Sequence, residues 1–147
     1  MELLDVEEEE IMSVSGKTGE GVEILLQKII QEIKSPVEMI PDTNSSRALV
    51  FDFEYSSHKG VIIYVRLMDG KINKGDQMIF GTSKRKFFAL DVGVFKPDAQ
   101  STGELSAGEI GYVVTGIKEA GVAQVGDTVT LFNKQLQTLP GYMEPTP

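Results

Sequence analysis

The fold of this chain is decided by residues 60–80, which read GVIIYVRLMDGKINKGDQMIF. An apolar, β-branched run leads into an Asp-Gly pair, and a Gly-Asp pair leads into a second apolar run. Two such runs separated by turn residues are typical of a β-hairpin. We therefore predict that the two runs form paired strands.

The glycine spacing of this stretch recurs once, from residue 111 onward. The glycines follow one another at the same offsets in both copies, which are Gly60, Gly70 and Gly75, and Gly111, Gly121 and Gly126. We predict a second hairpin there, and two hairpins of this kind can close a small barrel with glycines at its corners. Further strand-like runs at residues 86–94 and 108–115 are separated by turn residues. The sequence thus indicates a mainly β fold built as a closed antiparallel β-barrel.

A short strand and an amphipathic helix are predicted ahead of the barrel. Residues 11–15 nearly alternate in polarity, as a short strand does, and a glycine-containing turn follows at residues 18–21. From residue 22, apolar side chains recur at helical spacing until Pro36. The apolar face consists of Val22, Leu25, Leu26, Ile29, Ile30 and Ile33. Burying each such side chain is worth roughly 1.5–3 kcal/mol, so we expect this segment to dock on the barrel, to pair with another copy, or to lose order.

The domain boundaries follow from turn-forming residues. Residues 1–35 hold the strand and helix, and residues 36–46 form a linker with two prolines and a Thr-Asn-Ser-Ser run. Residues 47–135 form the barrel, and residues 136–147 form a proline-rich tail.

Charge is distributed unevenly along the 147 residues. The formal net charge is −8, and residues 1–44 carry all of it, with 3 Lys+Arg against 11 Asp+Glu. Residues 47–134 hold 11 Lys+Arg against 10 Asp+Glu, so the predicted barrel is near neutral. A local cluster of cations such as Lys84, Arg85 and Lys86 could still bind phosphate groups there. The absence of cysteine excludes disulfides, thiolate metal sites and a cysteine nucleophile, and fits a reducing compartment. No apolar run approaches the roughly 20 residues of a membrane span.

The motif Gly16-Lys17-Thr18 between a strand and a helix is similar to the end of a phosphate-binding P-loop. That loop needs a glycine five residues before the Gly-Lys pair, and Ile11 stands there instead. We therefore reject a P-loop.

Residues 14–22, VSGKTGEGV, resemble instead the last nucleotide-contacting loop of a GTPase domain. Residues 47–132, with the glycines above and the run LSAGEIGY at residues 105–112, are similar to the second-domain barrel of translational GTPases. The runs YSSHKGV at 55–61, DVGVF at 91–95, GIK at 116–118 and LPGY at 139–142 resemble the LepA family, the elongation factor 4 type. The resemblance implies a barrel of the translation-factor domain II type, preceded by the last strand and helix of an α/β GTPase domain. By the same resemblance, the tail leads to a third domain.

The resemblance also implies a function. The family hydrolyses GTP on the ribosome and acts in tRNA back-translocation or small-subunit assembly. The barrel would dock on small-subunit ribosomal RNA and relay nucleotide state, while Ser15, Gly16 and Lys17 would contact the guanine base. GTP and Mg²⁺ would be cofactors of the full-length family, whose location is cytoplasmic, including the inner membrane face. For this chain we expect no catalytic residue, metal or cofactor, because it lacks a P-loop, an Asp-x-x-Gly switch and an Asn-Lys-x-Asp motif.

Two groups of side chains and one arginine are candidates for RNA contact. They are His58 and Lys59 in a predicted turn, Lys84, Arg85 and Lys86 at a predicted hairpin tip, and Arg66 in an apolar strand. Each has an ordinary alternative, since turn residues and loop cations are usually solvated and Arg66 suits an outward strand position. The resemblance also implies another role for Arg66, in which it would pin the barrel against a partner domain. His58 and Lys59 also stand where the family more often has an aromatic-Arg pair, and Gly16 stands where it has alanine.

Two other functions stay open from the sequence alone. The chain would suit a free-standing β-barrel that binds RNA or protein, with the first 35 residues as an acidic appendage. An independent enzyme is disfavoured, because no acid, base and nucleophile are grouped in the sequence.

Overall fold

The computed structural model describes residues 10–37, 40, 44–119 and 121–143. Parts of the predicted linker and tail, residues 38–39, 41–43 and 144–147, lie outside the described residues. The chain divides into two compact units, Met1–Ser35 and Pro36–Pro147.

The first unit contains the predicted helix, α1, at Val22–Glu32. It begins after Gly21, whose left-handed conformation (φ 73°) suits glycine, and whose added Cβ would lie 2.6 Å from the Ser13 carbonyl oxygen. No residue of α1 is buried. The predicted strand at residues 11–15 is wrong, because the described part of this unit has no strand there. A strand needs a neighbour to accept and donate its backbone hydrogen bonds, and none of the described residues of this unit, 10–35, forms a strand that could pair with residues 11–15.

The second unit is mainly β, as predicted. Its strands are β1 (Arg47–Ser56), β2 (Gly60–Asp69), β3 (Lys71–Asn73), β4 (Gln77–Phe80), β5 (Lys86–Phe88), β6 (Asp91–Lys96), β7 (Asp98–Ser101), β8 (Glu104–Ser106), β9 (Ile110–Val114) and β10 (Thr128–Leu131). Eight form one antiparallel sheet in the order β5-β4-β10-β1-β2-β9-β6-β7, while β3 pairs with β8. A 3-10 turn follows β10 at Phe132–Lys134.

The two predicted hairpins are wrong in their pairing, although all four of their main strands exist. The first apolar run, β2, pairs with β1 and β9, and the second, β4, pairs with β10 and β5. Likewise, β9 pairs with β2 and β6, and β10 pairs with β1 and β4. The Asp69-Gly70 pair makes no exposed hairpin turn because both residues are buried. A Cβ on Gly70 would lie 1.9 Å from the Ser45 carbonyl oxygen, so the chain passes against another backbone there and crosses to β8.

The core lies on one side of β1 and β2 and is completed by β4, β9 and β10. Along β2, alternate side chains point inward, as the period of a half-buried strand requires. Its buried members include Val61, Ile63, Val65 and Leu67, which pack with Phe80, Val113 and Val129.

Residues 86–96 contact two separate parts of the sheet. At one end, β5 pairs with β4, and at the other, β6 pairs with β9. The two residues between β5 and β6 bond one to each side. The Ala89 amide donates to the carbonyl of Asp76, just before β4 (2.9 Å), and the Leu90 amide donates to the carbonyl of Val114, at the end of β9 (2.8 Å).

A buried ion pair joins the beginning of β1 to the end of β2. Arg47 Nη2 and Nε lie 2.7 and 2.8 Å from Asp69 Oδ2, and the Asp69 side chain is 0% exposed. The second carboxylate oxygen accepts the Ile40 amide at 2.7 Å, and Arg47 Nη1 donates to the Gln137 carbonyl at 3.1 Å. The pair therefore binds backbone groups from both the predicted linker and the predicted tail.

The described part of the tail lies against the sheet. The Leu139 amide donates to Thr128 Oγ1 at 2.9 Å, and the Tyr142 hydroxyl contacts the Gln124 side chain. Residues 139–142 therefore remain attached to the second unit.

Asp69→Ala is expected to lower the free energy of unfolding by about 3–5 kcal/mol, because it leaves the buried Arg47 guanidinium without its carboxylate. The matched control is Glu104→Ala, which removes the exposed Lys71–Glu104 pair (4.0 Å) and is expected to cost at most about 1 kcal/mol. Urea unfolding followed by circular dichroism measures both changes. Equal losses in the two variants would contradict the role given to the buried pair.

Candidate nucleic-acid interface

The turn between β1 and β2 is held by a lysine from another part of the chain. Residues 57–59 are exposed, and Lys118 Nζ donates to the Ser57 and His58 carbonyls at 2.6 and 2.8 Å. The Lys59 amide donates to Ser56 Oγ at 3.3 Å. The turn carrying His58 and Lys59 is therefore fixed to the segment that follows β9.

The same segment contacts the second group of candidate cations. Arg85 Nη2 lies 3.0 Å from Glu119 Oε1, and both side chains are exposed. Glu119 directly follows Lys118, so two successive residues join the β1–β2 turn to the β4–β5 connection. The structure thus brings His58 and Lys59 to the same edge of the sheet as Lys84, Arg85 and Lys86. We call the six residues His58, Lys59, Lys84, Arg85, Lys86 and Lys118 the basic edge.

Two members of the basic edge have distinctive local geometry. Lys84 has φ 55°, and among the described residues no other non-glycine residue has a positive φ. Such a conformation costs about 1–3 kcal/mol and often marks a functional position. Lys86 Nζ lies 3.8 Å from the centroid of the Phe132 ring, a cation–π distance that positions the ammonium group.

Arg66 does not belong to the basic edge. It is exposed on β2, opposite Leu49 of β1 and Ile110 of β9. It lies six positions after Gly60 at the turn, which corresponds to about 20 Å along a strand. The structure therefore leaves this arginine as an outward surface residue of the sheet.

The predicted guanine-contacting loop lies in the first unit. The Ser15 amide donates to the Glu20 carbonyl at 3.0 Å, and the Gly19 amide donates to the Ser15 carbonyl at 2.8 Å. Ser15 Oγ also accepts the Thr18 amide at 3.2 Å. These bonds close a compact loop before α1, with Gly16 and Lys17 exposed at its tip.

A groove of about 520 Å³ opens beside the basic edge. Its lining includes Arg85, Lys86 and Lys118 together with the apolar side chains of Phe88 and Leu90. Phe88 is 53% exposed and Leu90 is 52% exposed, although both follow a buried residue of the same extended segment. The groove therefore combines cations with large uncovered apolar groups.

A row of aromatic rings crosses the outer face of the sheet. Ring centroids are 6.5 Å apart for Phe51 and Tyr64, 5.5 Å for Tyr64 and Phe95, and 5.6 Å for Phe95 and Tyr112. Burial, followed by a hydrogen bond and the charge of Glu54, raises the pKa of Tyr64. Burial and the neighbouring Asp91 carboxylate raise the pKa of Tyr112. Both hydroxyls therefore stay protonated at neutral pH.

Asp91 anchors one end of this row. Burial opposes its ionisation, but hydrogen bonds from Ser101 (2.6 Å) and Tyr112 (3.2 Å) hold the pKa of its carboxyl below the ordinary value. The carboxylate therefore accepts a hydrogen bond from the Tyr112 hydroxyl and fixes the orientation of that ring.

Neither a metal site nor a membrane span is found in the part of the chain that the structure describes. Its acidic side chains and its histidine form no group of three or more that could hold a metal ion. Its helix is too short to cross a bilayer.

Lys118 and Phe88 belong to the site but were absent from the candidates found by sequence. The partners of Lys118 lie 60 and 61 residues earlier in the chain, so its role depends on folding. The signal for Phe88 was local: it adjoins the Lys84–Lys86 cluster, and aromatic side chains among cations are typical of nucleic-acid surfaces.

Comparison of this chain with known proteins identifies its relatives. Residues 60–130 match the model for "Elongation factor Tu domain 2". The chain is 43% identical over 147 residues to elongation factor 4 of Thermotoga maritima, covering 99% of this chain and 23% of that protein. It is 42% identical over 146 residues to elongation factor 4 of Corynebacterium urealyticum, again covering 99% and 23%. The chain therefore spans about a quarter of the length of these curated relatives.

Two solved structures share the fold at lower identity. The translation elongation factor SelB of Methanococcus maripaludis aligns with a TM-score of 0.69 at 22% identity, covering 86% of this chain and 27% of that one. A bacterial selenocysteine-specific elongation factor aligns with a TM-score of 0.65 at 17% identity, covering 81% and 20%. Over the segment that it shares with its curated relatives, the chain belongs to the elongation factor 4 family and carries an elongation factor Tu domain 2 at residues 60–130.

Proposed function

We propose that this segment docks a ribosomal translation factor on the small ribosomal subunit, with the basic edge against the phosphates of its RNA. The observation that carries this proposal is the pair Lys118 and Glu119, which ties two separate basic loops into one surface. Phosphate contacts of this kind position a protein on RNA without reading its sequence. A docking module needs such contacts, because its register on the ribosome must be fixed.

The local charge supports this role despite the acidic chain. The basic edge holds five lysine or arginine side chains and one histidine, with Glu119 as the acidic partner of Arg85. The excess acidity belongs to residues 1–44 of the sequence, whereas residues 47–134 hold 11 Lys+Arg against 10 Asp+Glu. At physiological ionic strength charges are largely screened beyond about 8 Å, so a phosphate in contact with the basic edge would respond most strongly to the cations next to it.

We also propose that the sheet closes into a barrel. The support is the segment 86–96, which bonds β4 at one end and β9 at the other and carries backbone bonds through Ala89 and Leu90 between them. Closure would remove the free edge of the sheet at β5, which otherwise invites pairing with another chain. It would also hold both basic loops on a rigid frame.

Nucleotide chemistry belongs, in this proposal, to a larger protein of which the chain represents about a quarter. Ser15, Gly16 and Lys17 would contact the guanine base there through the compact loop before α1. GTP and Mg²⁺ would be bound mainly by residues outside this chain, and the barrel would relay the nucleotide state through the linker and tail. Family resemblance further predicts a cytoplasmic location, including peripheral association with the inner membrane face.

Replacing Lys59 and Lys84 by glutamine is expected to weaken binding to small-subunit ribosomal RNA. The slope of log affinity against log salt should fall by about 0.7–0.9 for each lost phosphate contact. Fluorescence anisotropy over a salt series measures both quantities. The control, with Lys71 and Lys96 replaced by glutamine, removes the same charge elsewhere on the unit. If the two double variants lose affinity equally, net charge rather than the basic edge explains binding.

The apolar face of α1 is expected to drive self-association of the chain. Ile30 is 79% exposed and Ile33 is 68% exposed, while Leu25 and Ile29 line an open pocket with Met12. In the longer relatives, this face would be covered by protein that the chain does not span. In its absence, a second copy offers a matching apolar face, and burial of each side chain is worth roughly 1.5–3 kcal/mol.

Sedimentation velocity tests this association over a range of concentrations. The chain is expected to form dimers, and Ile30→Glu is expected to leave it monomeric, because a charge on the face opposes burial. Gln27→Glu adds the same charge at an exposed polar position and should still dimerise. A monomer at every concentration, or equal effects of the two variants, would contradict the pairing.

A further inference from the structure

Phe88 and Leu90 present two successive large apolar side chains on the outside of one extended segment. Phe87 and Ala89 alternate with them and point into the core, where both are buried. The inward residues therefore account for the packing of this segment. The outward residues are each about half exposed, and nothing in the described chain covers them.

Cations surround these two side chains in the groove of about 520 Å³. Arg85, Lys86 and Lys118 line it, and Glu119 is its acidic lining residue. Since Glu119 pairs with Arg85 at 3.0 Å, the groove keeps an excess of positive charge from Lys86 and Lys118. An ammonium group has three donors, so the two carbonyl bonds made by Lys118 leave one donor for a phosphate oxygen.

An exposed aromatic ring within a positively charged groove is the arrangement by which proteins bind single-stranded nucleic acid. Bases stack on the ring while the cations follow the backbone, and the stacking tolerates any sequence. A paired base is inaccessible to such a ring, because it is already stacked within the helix. An acidic peptide with an apolar side chain is the competing occupant, but it would gain no advantage from an aromatic ring over an aliphatic one.

We propose that this groove receives an unpaired nucleobase of RNA, which stacks on Phe88 and contacts Leu90. The flanking phosphates lie beside Lys86 and Lys118. This inference rests on the proposed docking on RNA and assigns part of it to a single-stranded position, such as a loop or a bulge. The phosphate contacts of the basic edge then position the protein on the RNA. The groove gives the protein a preference for unpaired over paired RNA.

The test compares single-stranded and duplex RNA of equal length and mixed sequence. Phe88→Ala is expected to weaken single-stranded binding by about five- to 140-fold, the range for loss of one stacked base. Duplex binding should be unchanged, because the cations remain. Phe88→Leu keeps the apolar bulk without the ring and should lose nearly as much, whereas Phe88→Trp should retain binding. Phe51→Ala, another half-exposed phenylalanine that stacks with Tyr64, is the control and should bind both RNAs normally.

A base analogue gives a second measurement. The fluorescence of 2-aminopurine in the single strand is quenched by stacking, and the protein-dependent quench should disappear in Phe88→Ala. Circular dichroism confirms that each variant keeps the β fold.

Three outcomes would overturn the inference in distinguishable ways. Equal effects of Phe88→Ala on both RNAs, or no effect on either, would refute base stacking while leaving phosphate docking intact. A Phe88-dependent affinity for an acidic apolar peptide, with RNA binding unaffected, would assign the groove to protein. Failure of the unaltered chain to bind any RNA would refute the proposed function together with the inference.

Discussion

The buried ion pair between Arg47 and Asp69 is the constraint on which the second unit depends. Two charges removed from water are tolerated only when each is paired and hydrogen-bonded. Asp69 meets this requirement with the Arg47 guanidinium and the Ile40 amide, and Arg47 meets it further with the Gln137 carbonyl. The need to satisfy both members of one buried ion pair therefore recruits backbone from positions nearly a hundred residues apart in the chain, with the Ile40 amide on the carboxylate and the Gln137 carbonyl on the guanidinium.

The ion pair and the turn of the basic edge lie at opposite ends of the β1–β2 hairpin. The ion pair lies at the end where Arg47 faces Asp69, and the turn of the basic edge lies at the other end, where Ser56 faces Gly60. Asp69 lies nine positions after Gly60 in β2, which corresponds to about 30 Å along a strand. The segments that lead into and out of the unit are thus held at one end of the hairpin, and the candidate RNA surface lies at the other. The proposed relay of nucleotide state between the connecting segments and the candidate RNA surface would act through the paired strands β1 and β2 rather than through a flexible loop.

Local patterns in the sequence predicted the elements better than their partners. Helical spacing of apolar residues located α1, and β-branched runs located β1, β2, β4, β9 and β10, because these signals arise within one segment. Pairing is decided by contacts between distant segments, so the Asp69-Gly70 pair was wrongly interpreted as a hairpin turn.

Contacts between distant segments also decide the candidate site, and local sequence patterns do not reveal them. His58, Lys59 and the Lys84–Lys86 cluster were found by composition, but Arg66 lies elsewhere on the sheet and Lys118 was missed. Lys118 acquires its role only when folding brings it to the carbonyls of residues 57 and 58. Phe88 carried a local signal, yet its exposure depends on the alternation of its segment within the folded sheet.

One buried ion pair holds Ile40 of the predicted linker to the sheet, and amide hydrogen exchange at Ile40 measures how firmly it does so. The Ile40 amide donates to Asp69 Oδ1 at 2.7 Å, so its exchange should require opening of the ion pair itself. This amide is therefore expected to be protected to a degree similar to the amides of the β2 core, such as Val65. Exchange of the Ile40 amide at the rate of an unstructured peptide, while Val65 remains protected, would show that the ion pair does not hold this residue to the sheet.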